Sequence, residues 1–285
     1  MEAKGKIIII GGAEDKGQSE ATREASCNGT SFNNGVLKRL IDESAKKEKS
    51  RIEIVTTAST VPDSIGGDYL RAFSLLKADN AAILKIETRE QANEPEMLER
   101  LEKAHIVLFT GGDQMRLTSI LGGTLFLERL YEKYREENFI YAGSSAGAAA
   151  VSNNMVFQGR SEDALRKGEV RITSGLGLLN NVVVDTHFVK RGRIGRLFQA
   201  VVANPRILGI GMEENAALLI TKGSIMEAIG PEMTILVDGR HITDTNFNDI
   251  DDGEAISVAN LTVHVMSQGD RYRLKEHSLE LAHPE

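Results

Sequence analysis

Short apolar runs that stop at glycine or serine constrain this chain more than any other feature. Ile7–Ile10 runs into Gly11-Gly12, His105–Thr110 into Gly111-Gly112-Asp113-Gln114, and Phe139–Ala142 into Gly143-Ser144-Ser145. Runs this short and uniformly apolar fit strands buried on both faces. Between them lie stretches with helical character: Val36, Leu37, Leu40 and Ile41; residues 66 to 78 after Pro62; an acidic stretch from about 94 to 104; and amphipathic residues 123 to 137. With further strands expected at 51 to 58 and 81 to 87, strand and helix alternate. That pattern predicts an α/β fold with a parallel sheet covered on both faces. Ligands of such folds bind at the carboxyl ends of the strands, where Gly12, Gly112 and Ser145 all fall.

Composition narrows the function classes. Over 285 residues, a 41% hydrophobic content is ample for a buried core. The single cysteine, Cys27, excludes an intrachain disulfide framework and a Cys-based metal site, so a reducing compartment, the cytoplasm, is the simpler expectation. The apolar run Ile7–Ile10 is too short for a signal-peptide core, and no later run approaches a membrane span. A net charge of −7 with few aromatics argues against general nucleic-acid binding.

The most specific local pattern is Gly143-Ser144-Ser145-Ala146-Gly147, a match to G-x-S-x-G between an apolar strand and the small residues Ala146 to Ala150. In that arrangement a serine occupies a sharp strand-to-helix turn, and the flanking glycines keep Cβ atoms out of a close backbone approach. The backbone N–H of Ala146 is then free to donate to an oxyanion. Gly/Ser/Ala-rich turns also produce such matches by chance, so the serine needs partners. Of the six histidines, His187 alone ends an apolar strand, Val182–Thr186, at an edge comparable to that of Ser145. The next strand, from Ile207, ends in Glu213-Glu214. Side chains alternate along a strand, so only one of these two carboxylates readily reaches the imidazole. The order Ser, His, acid differs from the Ser, acid, His of α/β-hydrolases.

Residues 18 to 34, including Cys27, read as an irregular surface loop, and 153 to 177 as a polar, Gly-punctuated loop bordering the site. Ile194–Ala203 reads as a short helix stopped before Pro205. Beyond 216 the pattern changes to short β segments at 216 to 221, 225 to 229, 233 to 237 and 255 to 267. No repeat or linker justifies dividing residues 1–285 into two domains.

Five stretches taken together resemble the cyanophycinases, within the peptidase E-like family of serine peptidases. They are Ile9-Ile10-Gly11-Gly12-Ala13-Glu14-Asp15-Lys16, Phe109–Gln114, Gly143–Ala148, Asp185-Thr186-His187-Phe188 with Arg191, Arg193 and Arg196, and Gly209–Glu214. The resemblance covers roughly residues 7 to 221. It implies a three-layer sandwich with a mainly parallel, flavodoxin-like sheet related to class I glutamine amidotransferases, serine replacing their elbow cysteine. It further implies Ser145, His187 and Glu214 as a catalytic triad, and Gln114, Asp185, Thr186, Arg191, Arg193 and Arg196 in the substrate pocket. Thr186 departs from the glutamine expected there. The resemblance also implies a homodimer.

The implied substrate is cyanophycin, a poly-aspartate with arginine on each aspartate side chain, or peptides containing β-aspartyl-arginine. Lys190, Arg191, Arg193, Arg196 and Arg206 form a positive patch in an acidic protein, suited to carboxylates. Asp185 and Gln114 rank first for the substrate guanidinium, ahead of Glu162 and Asp163. Asp113 and Gln114 equally suit capping of the helix after Gly112. The expected chemistry is acyl transfer to water, with the N–H groups of Ala146 and of Gly112 or Asp113 holding the oxyanion. It requires no metal or organic cofactor. Two other readings stand beside it: an aspartyl dipeptidase cutting short Asp-Xaa peptides, and a catalytically silent binding protein on the same scaffold.

Overall fold

The computed structural model describes residues 2–17 and 32–283. The expected loop with Cys27 falls at 18–31, outside the described residues; Phe32–Asn34 form a short 3-10 turn with Phe32 buried. The elements in chain order are β1 (Lys6–Ile10), α1 (Val36–Glu43), β2 (Ile52–Val55), α2 (Pro62–Leu75), β3 (Ala81–Leu84), α3 (Pro95–Lys103) and β4 (Ile106–Phe109). Then follow α4 (Gln114–Leu121), α5 (Leu125–Glu136), β5 (Ile140–Ser144), α6 (Ala146–Ala149), β6 (Ser152–Gln158), β7 (Arg171–Thr173), β8 (Leu179–Thr186), α7 (Ile194–Ala203) and β9 (Leu208–Met212). The remainder is β: β10 (Ala217–Thr221), β11 (Ile225–Ala228), β12 (Thr234–Asp238), β13 (Asp244–Thr245), β14 (Val258–Ala259), β15 (Thr262–Met266), β16 (Arg271–Arg273) and β17 (Ser278–Glu280).

The strands form two main sheets. The larger has the order β17-β16-β11-β10-β1-β5-β4-β2-β3, the last five being mutually parallel and the others added as antiparallel hairpins. The smaller runs β15-β12-β9-β8-β6-β7, with β6, β8 and β9 parallel. Alternation along the strands sends apolar side chains to both faces. Ile8, Ile10, Ile52, Ile54, Ile106 and Leu108 pack on α1 and α2 through Leu37, Leu40, Tyr69 and Phe73. Ile7, Ile9, Val107, Phe109 and Tyr141 face the opposite way, into the core shared by α3 to α6 and the smaller sheet's Val182, Val184 and Ile210. Val183 and Val237, on the smaller sheet's far face, pack on Leu197 and Val201 of α7. This is the expected layered α/β architecture with a β-rich tail.

Three local differences from the sequence reading have physical causes. Helix α2 starts at Pro62 itself rather than at 66, because a first-turn N–H has no intrahelical acceptor and proline loses nothing there. Residues 153 to 177 are not all loop. They include most of β6 and all of β7, polar because Asn153 and Gln158 are exposed and irregular because β6 shifts register against both neighbours. The strands ending at His187 and before Glu213 belong to the smaller sheet, not to that of the serine. Among the described residues, no helix is long and apolar enough to cross a membrane.

Candidate active site

Strand β5 is wholly buried and runs straight into α6, one helical turn, with Ser145 as the residue between them. A Cβ on Gly143 would lie 2.5 Å from the backbone of Gly147, and one on Gly147 2.5 Å from the carbonyl oxygen of Phe109, so strand and helix approach too closely for side chains at either position. Ser145 has φ 49° and ψ −102°, and His187 has φ 51°. Such conformations cost of order 1–3 kcal/mol each and persist only where the surroundings hold them.

The structure brings three of the predicted side chains into one hydrogen-bonded chain. Ser145 Oγ lies 3.0 Å from His187 Nε2, and His187 Nδ1 lies 2.7 Å from Glu214 Oε1. A carboxylate only accepts, so Nδ1 carries the proton in this arrangement and Nε2 is left to accept from the serine hydroxyl. Glu213 turns away: its Oε2 accepts from the backbone N–H groups of Val189 (2.6 Å) and Lys190 (3.1 Å), fixing the turn after His187. The second oxygen of Glu214 pairs with Lys190. Burial raises the Glu214 carboxyl, but Lys190 and His187 outweigh it and hold the group below the usual carboxylate range.

Ser145 opens onto a polar cleft of about 250 Å³ lined by Gly112, Gln114, Ala146, Asp185, Thr186 and the three arginines Arg191, Arg193 and Arg196, together with Ala149, Val156 and Phe157. Gln114 is fixed by its Nε2, which donates to the Val156 carbonyl at 3.1 Å. Asp185 is 2% exposed and fully engaged. It receives Arg196 through both oxygens, Arg193 at 3.2 Å and the Thr186 N–H at 2.9 Å. This corrects the expectation that Asp185 waits for a guanidinium, since two of the protein's own already occupy it. Arg196 is correspondingly spent inside the fold, whereas the exposed Arg191 side chain has no hydrogen-bond or ion-pair partner among the described residues. Glu162 and Asp163 do not line the cleft.

The oxyanion donors also need correction. The Asp113 N–H donates to the Ala58 carbonyl at 2.9 Å, and the Asp113 carboxylate caps α4 by accepting from the N–H groups of Met115 and Arg116. Asp113 is therefore a cap. Ala146, at the first position of α6, has no intrahelical acceptor for its N–H, and Gly112 lines the cleft beside it.

Sequence reasoning gave no role to Glu14 or Ser144, and it offered Lys190 to substrate carboxylates rather than to Glu214. Glu14 is a buried carboxylate bonded to Ser144, the residue before the elbow serine. It lies in the Ile9–Lys16 stretch that carries the resemblance, but an acid two residues past the Gly11-Gly12 turn suits a surface turn equally well.

The sequence that carries this site matches a known family. Residues 24–228 match the model of peptidase family S51. This chain belongs to that family. Cyanophycinases from Trichormus variabilis and Synechococcus elongatus are 34% and 32% identical to it, the alignments covering 97% of this chain and 88% and 81% of theirs. The cyanophycinase of Geminocystis herdmanii is 31% identical over 96% of this chain and 95% of its own length. Among solved structures, a peptidase from an acI-B1 actinobacterium superposes over 95% of this chain and 98% of its own with a TM-score of 0.67 at 20% identity, a likeness of fold. As an S51 member the chain is a peptidase, and the elbow, the imidazole and the arginine-lined cleft lie in its matched region.

Proposed function

We propose that this peptidase is a serine-type cyanophycinase, an exopeptidase that cuts the poly-aspartate backbone of multi-L-arginyl-poly-L-aspartate to β-aspartyl-arginine dipeptides. The observation that carries the reading is the unbroken chain Ser145–His187–Glu214 at the mouth of the arginine-lined cleft. His187 takes the Ser145 proton as Oγ attacks the aspartyl carbonyl; Glu214 holds the imidazole and stabilises its cation. The N–H groups of Ala146 and Gly112 receive the oxyanion. His187 then returns the proton to the leaving amine, and water, deprotonated by the same imidazole, hydrolyses the ester.

The charge balance of the cleft supports a substrate rich in carboxylates. Three guanidinium groups and one carboxylate line it, and the carboxylate is paired within the protein. Arg191 is the group available to meet a substrate carboxylate, with Arg193 beside it; the Gln114 amide oxygen and the Thr186 hydroxyl suit the arginine end. Arg191→Ala is expected to raise KM about 10-fold or more with kcat and melting temperature little changed, since an exposed arginine without a partner among the described residues contributes binding rather than stability. A rise in KM of less than twofold would remove Arg191 from substrate recognition.

Lys190→Met should have a small effect. The Lys190 side chain is 65% exposed, so its pairing with Glu214 is screened and worth at most about fivefold in kcat, an effect that fades in high salt. Steady-state rates at two ionic strengths check this.

Incubation of purified protein with insoluble cyanophycin, followed by mass spectrometry of the soluble products, tests the function. Release of β-aspartyl-arginine is the expected result. Cleavage of Asp-Xaa dipeptides with no release from polymer would move the chain to an aspartyl dipeptidase, and inertness towards both would leave a silent scaffold.

A further inference from the structure

The last residue of β1 and the segment that follows it are bonded to the backbone at or beside every residue of the triad, although none of their side chains lines the cleft. Three consecutive carbonyls do this. Ile10 accepts from the Ser145 N–H at 3.0 Å, Gly11 from the His187 N–H at 3.1 Å, and Gly12 from the N–H of Asn215, the residue after Glu214, at 2.8 Å. Gly12, at φ 99°, presses against the imidazole so closely that a Cβ would lie 2.6 Å from His187 Nε2 and 3.2 Å from Ser145 Cβ. Two residues on, the segment sinks a charge into the protein. Glu14 Oε2 accepts from Ser144 Oγ at 2.7 Å, while Oε1 accepts from the Tyr69 hydroxyl and pairs with Lys16 at 3.0 Å. The Lys16 ammonium also lies over the Tyr69 ring, 4.7 Å from its centroid.

A buried ion pair gains little net stability over apolar packing, and its best-attested use is to select one arrangement. What this pair can select is visible in its contacts. Glu14 grips the side chain of Ser144, and Ser144 leads directly into the strained backbone of Ser145. We infer that Glu14 is a positioning residue for the reaction: held by Lys16 and Tyr69, it locks Ser144 and so keeps the Ser145 hydroxyl aligned with His187. The carbonyls of residues 10 to 12 align the base and the acid against the same segment. The inference rests on Ser145 being the nucleophile. It concerns a residue that does not touch substrate.

The test compares Glu14→Gln, Ser144→Ala and the double variant Glu14→Gln/Lys16→Met. Two readouts are the melting temperature and the rate at which a fluorophosphonate labels Ser145. In labelling, Oγ bonds to phosphorus as fluoride leaves and the serine proton passes to His187, so the rate reports alignment without any peptide substrate. All three variants are expected to label about 10- to 100-fold more slowly than wild type, with KM for a cleaved peptide unchanged within about twofold. The double variant, which leaves no unpaired ammonium, should recover melting temperature lost by Glu14→Gln and remain slow. Labelling of the double variant or of Ser144→Ala at the wild-type rate would make the ion pair merely structural and overturn the inference. Ser144→Ala decides alone if the Glu14 variants do not fold. Failure of wild type itself to label at Ser145 would instead overturn the nucleophile assignment, and this inference with it.

Discussion

Ser145→Ala is expected to lower kcat by about five to six orders of magnitude while the fold is retained, the melting temperature shifting by no more than about 2 °C. The magnitude follows from the proposed mechanism, a unit that works only when complete: among the described residues the Ser145 hydroxyl is bonded to His187, at 3.0 Å. His187→Ala should lose a comparable factor, and the double variant should lose no more than either single one, because groups acting in one step are not additive. Multiplying losses would mean that the two side chains act in separate steps. Near-normal turnover by Ser145→Ala would remove the covalent mechanism.

The second large effect is on stability. Arg196→Met is expected to cost about 3–5 kcal/mol in urea-induced unfolding, the range for deleting one partner of a buried ion pair. Asp185 is 2% exposed and Arg196 8%, and Arg196 supplies contacts to both carboxylate oxygens. Arg193, at 3.2 Å from one of those oxygens, remains as the lesser partner. Unfolding free energy near wild type together with a raised KM would return Arg196 to the role implied by family resemblance, as a direct contact of the substrate.

What was legible in the sequence depended on whether a residue type restricts its own surroundings. Ile7–Ile10 and Ile106–Phe109 read as buried strands because a run apolar on both faces has few other places to go. The elbow was legible because Gly143 and Gly147 mark a backbone approach that no side chain tolerates. His187 stood out by ending an apolar strand. Pairing among charges was not legible. Asp185 and Arg196 are 11 positions apart, and the same two residue types could each face substrate; only the fold decides that they face one another. Alternation left Glu213 and Glu214 open and only the resemblance favoured Glu214; the physical reason lies in the turn at Val189 and Lys190, whose N–H groups claim Glu213. The division into two sheets was hidden for a similar reason. Strands β8 and β9 carry short apolar runs like that of β1, Val182–Val184 and Leu208–Met212, and composition does not record which strands share hydrogen bonds.

The chain order of the strands bears on how a peptidase is made safely. Strand β1 lies between β5 and β10, and so acquires its last neighbour only when residues 217–221 have emerged. In the proposed triad, Ser145 is synthesised 42 residues before His187 and 69 before Glu214. On that proposal, a chain that ends before residue 187 carries the serine with nothing to deprotonate it. Hydrolytic power would then arrive only when the Gly11 and Gly12 carbonyls find the amides of residues 187 and 215. Unfinished copies of this peptidase should be inert towards the ribosome's other products and towards each other.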